Sequence, residues 1–136
     1  MRNVFRVFGS CVAMLLVVAG CSQEKVSGGA ALYSANCANC HGRYADGQGP
    51  AAADLAGGSS PDLRYLATRN GGTFPREWVT KVIDGREIVA AHGERQMPVW
   101  GKAFAELDAA NGSSKAQTEA KIQALVDYLV EVQQTH

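Results

Sequence analysis

The sequence predicts an all-α fold of four to five short helices. Apolar residues recur at helical spacing in two places, Trp78, Val79, Val82 and Ile83, then Ile122, Leu125, Val126, Leu129 and Val130. No period-two run rich in β-branched residues occurs outside the N-terminal apolar stretch, so strands have no sequence support. Between the apolar stripes, glycine and proline cluster at positions that end helices.

The elements follow in order. A first helix is expected from about Gly28 to Asn39, where a Cys-x-x-Cys-His motif begins to close it. The segment from Gly42 to Ser60 holds Gly42, Gly47, Gly49, Pro50, Gly57 and Gly58, too many breakers for regular structure. Ser60-Pro61 reads as a cap followed by proline in a first turn, and Asn70-Gly71-Gly72 as a stop. Another helix is expected from Pro75 to Gly85. Irregular chain from Gly85 to Gly101 then leads to a short turn over Lys102 to Leu107. Ser113 or Ser114 caps the last and most strongly patterned helix.

The N-terminus reads as an address. Arg2 and Arg6 form a short basic region, and Val7 to Ala19 is an apolar stretch of 13 residues with no acid before Glu24. Such a stretch is too short for a bilayer core that needs ~20 helical residues. Val18-Ala19-Gly20-Cys21 resembles the lipobox of bacterial lipoproteins, in which the cysteine is acylated and becomes the first residue after cleavage. The alternative is an ordinary signal peptide that contains a cysteine. The division expected is a signal over 1–20, an acylated tether over 21–28 and one domain over 29–136. By the family's rule, Ser22 after the cysteine favours the outer membrane over the inner.

Charge sets limits on partners. The chain carries 13 Lys plus Arg against 13 Asp plus Glu, and removal of residues 1–20 takes Arg2 and Arg6 to leave 11 against 13. A slightly acidic domain lacks the basic footprint of nucleic-acid binding, so docking rests on local patches. A domain of this size is short of core unless a cofactor supplies part of it.

The most informative residues are Cys37-Ala38-Asn39-Cys40-His41. Two thiols three positions apart can add across the two vinyl groups of one haem, and a histidine directly after the second then reaches the iron. Zinc would need a second Cys or His pair, which the sequence does not offer. A thioredoxin-like redox pair would need a βα context, whereas these flanks are helical and Gly-rich. Cys11 and Cys21 belong to the N-terminal segment, so no cysteine is left for a structural disulfide, and a single motif implies one covalent haem c.

With these residues the chain resembles the class I c-type cytochromes, and the likeness extends over most of the domain. In that family the first and last helices cross at a glycine packed on aromatic and aliphatic side chains. Gly29 and Tyr33, at steps of four before Cys37, and Leu125-Val126-Asp127-Tyr128-Leu129 match that pattern, although Tyr33 and Tyr128 also suit a plain core. The resemblance implies the cytochrome c fold around one covalent haem, with His41 as one axial ligand.

Met97 is the candidate for the other ligand. It stands in Arg95-Gln96-Met97-Pro98-Val99-Trp100-Gly101, 56 residues after His41, and this segment looks like the family's Met-Pro ligand loop. A thioether is a soft donor that raises the potential and closes the iron to substrates. Met97 as a core filler and His92 as a rival ligand are the alternatives, while terminal His136 is a poor one. A ligating imidazole usually donates its other N–H to an acceptor. In the family a proline carbonyl serves, for which Pro50 is the first candidate and Pro61 the second. Trp100 is expected at the haem edge, near a propionate, or in the core. Arg43, Arg64, Arg69 and Arg95 are possible propionate partners.

The resulting expectation is a lipid-anchored periplasmic electron carrier and not an enzyme, passing single electrons by an outer-sphere route. A quinol-oxidising complex or dehydrogenase would stand upstream and a terminal oxidase or reductase downstream. The alternatives are a haem subunit of an oxidoreductase complex, or a sensor or peroxidase with an open iron site.

Overall fold

The described chain begins in helix, at Gln23. The structure, a computed structural model, describes residues 23–55, 57–87, 97–112 and 114–135. The expected signal, Cys11, Cys21, Ser22, His92, Arg95, Ser113 and His136 lie outside the described residues. Among the described residues there are six α-helices: α1 Gln23–Asn36, α2 Ala38–His41, α3 Leu66–Arg69, α4 Arg76–Asp84, α5 Trp100–Ala110 and α6 Lys115–Glu131. Two single 3₁₀ turns, Ala52–Asp54 and Leu63–Tyr65, lie between α2 and α3. Among the described residues there is no strand, so the all-α expectation holds.

Several boundaries differ from those read in the sequence. α1 begins at Gln23, inside the segment expected as tether, because Gln23, Glu24 and Lys25 all have high helix propensity. It ends at Asn36, and Cys37 separates it from the single turn of α2. Ser60-Pro61 does not start a helix. The cap is Asp62, whose Oδ1 accepts from the Arg64 N–H at 2.9 Å. The short turn expected over Lys102 to Leu107 is an eleven-residue helix, since no breaker other than Gly101 stands between Pro98 and Asn111.

Other boundaries agree. α4 runs from just after Pro75 to Gly85, whose φ of +87° ends it in the left-handed region. Ser114 is the cap of α6, and a capping box joins it to Gln117, whose Oε1 accepts from Ser114 N–H at 2.6 Å.

The core lies where α1, α4 and α5 meet α6. From α6 the stripe of Ile122, Leu125, Val126 and Leu129 turns inward, with Leu125 1% and Val126 0% exposed. Val79 and Ile83 of α4 and Phe104 of α5 close on it. α1 crosses α6 at Gly29, where an added Cβ would fall on the Ala124 carbonyl and within 3.1 Å of the Tyr128 Cβ. One turn on, the Tyr33 and Tyr128 rings pack at 4.9 Å.

Polar contacts fasten the edges. Asp108 of α5 is buried and accepts from Thr118 Oγ1 at 2.7 Å and from Lys121 Nζ. The bond from Lys121, with that from Thr118, holds its carboxyl below the usual carboxylate range. Beyond α6 the chain folds back on the 63–68 segment. Gln133 Nε2 donates to Leu63 O at 2.8 Å, its Oε1 accepts from Ala67 N–H at 2.9 Å, and Gln134 N–H donates to Arg64 O at 2.8 Å.

Two neighbouring glycines test the crossing with opposite signs. Nothing lies within 4 Å of a Cβ built at Gly28. Gly28→Ala should therefore stabilise the protein by up to ~1 kcal/mol through helix propensity. Gly29→Ala should destabilise it by ~1–3 kcal/mol through overpacking, despite the same gain in propensity. Urea unfolding followed by circular dichroism checks both signs, and a stabilising Gly29→Ala would contradict the close approach.

Candidate cofactor site

The break between α1 and α2 falls at Cys37, and one turn of α2 then carries Cys40 and His41 to the same side of the molecule. Tyr33 fixes this turn from below, its hydroxyl donating to the Gly42 carbonyl at 2.9 Å. Burial raises the Tyr33 hydroxyl well above the usual phenol range, so it stays a donor. His41 is buried, and its Nδ1 shares a 2.8 Å hydrogen bond with Ser60 Oγ. The Pro61 carbonyl oxygen lies farther from Nδ1, at 3.5 Å.

Two adjoining hollows surround these residues. One, of about 500 Å³, is lined by both cysteines, His41, Leu55, Ser60, Pro61, Met97, Pro98 and Trp100. The other, of about 510 Å³, is bounded by Tyr33, Cys37, His41 and Met97 with apolar side chains from the 63–66 segment, α4 and α6. Cys37, His41 and Met97 line both hollows, which form two sides of one apolar slot.

The donor set suits haem better than its rivals. Cys37 and Cys40 are free thiols on the wall of the slot. Burial, and then the neighbouring Cys40, push the Cys37 thiol up to about 12. Among the described residues, no cluster of three or more His, Cys, Asp or Glu could hold a metal ion by itself. An apolar slot bearing two thiols, an imidazole and a thioether has the chemistry that a flat apolar macrocycle with an iron centre requires.

The family model described as cytochrome c oxidase, cbb3-type, subunit III matches residues 24–129. The chain belongs to this family of c-type cytochromes. No curated protein and no solved structure matches it. As a cytochrome c domain it is built for haem-based electron transfer, and its resemblance to the class I proteins holds across the matched residues.

The fold of this c-type cytochrome brings Cys37, Cys40, His41, Met97 and Trp100 together around one slot. Trp100 opens α5 and packs on Phe104, with ring centroids 5.4 Å apart. Pro50 requires correction. It is exposed, and although Gly49 and Ala51 pack on the Asn39–Cys40 backbone, the proline carbonyl brought to Nδ1 is that of Pro61. Of the arginines, Arg64 is engaged by the Asp62 carboxylate, Arg69 by the Asp62 carbonyl, and Arg43 is exposed. Ser60 is the residue that sequence reasoning missed as a partner of His41. Its only sequence signal was that of a helix cap, and 19 residues separate it from the ring it touches.

Tyr33→Phe measures how firmly the haem-motif turn is seated. The substitution keeps the ring packing and leaves the Gly42 carbonyl without its donor, so stability should fall by ~1–3 kcal/mol. Denaturant unfolding of the haem-loaded protein, followed at the Soret band, checks this. An unchanged midpoint would show that the bond contributes nothing.

Proposed function

We propose that this cytochrome is a membrane-tethered periplasmic electron carrier with one covalent haem. The observation that carries the reading is the shared lining of the slot by Cys37, Cys40, His41 and Met97. Each thiol would add across one vinyl group, its sulfur bonding to carbon and its hydrogen passing to the adjacent carbon. Haem c supplies a one-electron ferrous–ferric couple. His41 and Met97 are the residues that would hold the iron, drawn from segments 56 positions apart. A soft Met97 thioether on the iron would favour the ferrous state and disfavour binding of a substrate. Leu63, Leu66, Val79, Leu125 and Leu129 line the slot with apolar side chains, which would limit water near a bound haem and so reorganisation as its charge changes.

Tethering rests on the lipobox-like residues ending in Cys21. Acyl chains there, each buried CH₂ worth about 0.8 kcal/mol, would hold the domain at the membrane, with Ser22 favouring the outer one. No helix among the described residues is long and apolar enough to cross a membrane. A quinol-oxidising complex or dehydrogenase would donate electrons and a terminal oxidase or reductase would accept them. The family description, which names a cbb3-type oxidase subunit, favours a second reading in which the domain works as the haem subunit of such a complex.

Met97→Ala separates a closed iron site from an open one. Haem should remain attached, while the potential should fall by a sizeable part of the ~0.8 V range that axial ligation spans. Ferrous wild type should bind carbon monoxide poorly and the variant readily, as read by the Soret shift. Rapid stoichiometric binding by wild type would replace the carrier with a sensor or peroxidase. The same changes in His92→Ala rather than Met97→Ala would move the ligand to His92.

A further inference from the structure

Ser60 stands in a position that a helix cap or a surface serine would not occupy. It is 9% exposed, and its Oγ lies 2.8 Å from His41 Nδ1. The Pro61 carbonyl, at 3.5 Å, falls outside the ~2.7–3.2 Å range of ordinary N–H···O bonds. Capping is left to Asp62, which frees the Ser60 hydroxyl for the imidazole.

The surrounding backbone builds this placement. Gly47 takes a φ of +79°, and a Cβ there would collide with the Ser60 carbonyl, so residues 47 and 60 touch backbone to backbone. From the same glycine, the N–H donates to the His41 carbonyl at 2.9 Å. Leu63 N–H donates to the carbonyl of Ala45 at 2.8 Å, and Ala45 is fully buried with a φ of +60°. The 42–47 loop is thus clasped between His41 on one side and 60–63 on the other, which sets Ser60 against the ring.

We propose that the Ser60 hydroxyl is the principal hydrogen-bond acceptor of the His41 imidazole and a positioning residue for it. This rests on the reading of His41 as an iron ligand. A ring that binds iron through Nε2 carries its proton on Nδ1, so Nδ1–H donates and Ser60 Oγ accepts. The bond fixes the ring's rotation and places partial negative charge on the far side of the imidazole. A stronger imidazole donor stabilises ferric iron, and so holds the potential down. A serine acceptor, unlike a main-chain carbonyl, can be removed by substitution.

The test compares haem-loaded wild type, Ser60→Ala and Ser60→Thr by midpoint potential and by nitrogen-labelled NMR of the His41 ring. Ser60→Ala should raise the potential and speed solvent exchange of the Nδ1 proton by ~10-fold, the effect of losing one ordinary hydrogen bond. Ser60→Thr, which keeps the hydroxyl, should restore both. Ser60→Gly provides the same comparison should the alanine variant fail to fold. Wild-type potential and exchange in the variants lacking the hydroxyl would overturn the proposal in favour of the Pro61 carbonyl. A His41 ring without hyperfine shift in wild type would overturn the ligand reading itself, a separate result from a shifted ring that ignores Ser60.

Discussion

Where Gly29 passes the Ala124 carbonyl, two helix backbones meet with no side chain between them, and the spacing of α1 against α6 is set there. Positions four apart lie on one face of a helix, so Tyr33 and Cys37 continue the line that Gly29 begins. Tyr33 meets Tyr128 on that line and reaches the Gly42 carbonyl beyond it. Cys37 ends the line on the wall of the slot. A side chain at 29 would have to displace the Ala124 backbone, on the same face of α1 that carries Tyr33.

The slot is walled on one side by the core. Leu125 and Leu129 of α6 and Val79 and Ile83 of α4 face it from inside, and these same residues form the buried cluster. The protein's apolar core and its cofactor site are therefore one structure, which suits a domain whose size leaves little core to spare. Contacts far from the slot serve its walls. Gln133 and Gln134 hold the segment carrying Leu63 and Leu66 in place, and Asp108 ties α5 to α6.

Local structure was legible in the sequence, and long-range partnership was not. The Cys37-Cys40-His41 motif, the Ile122 to Leu129 stripe and the Gly85 stop are written in adjacent residues, and each has its counterpart in the fold. Gly29 was legible only through its spacing to Tyr33 and Cys37 and a family likeness. Ser60 and Pro61 were misread because a serine before a proline looks like a cap, whereas the loop closure at Gly47 turns both toward His41. Pro50 failed because nearness does not aim a carbonyl: Gly49 packs on Cys40 and Ala51 N–H donates to Asn39 O, while Pro50 itself is exposed. α5 was read too short because Gly101 was taken as a boundary, while tertiary contact with Asp84 accommodates it inside a helix.

The central claim is that the slot holds haem through bonds from Cys37 and Cys40. Mass spectrometry of the mature protein, unfolded and extracted with acid acetone, tests it most directly. A single peptide containing 37–41 should carry the mass of one haem, bonded at both sulfurs, with the colour retained on the denatured chain. Release of all colour into the acetone, with both thiols recovered free, would contradict the account.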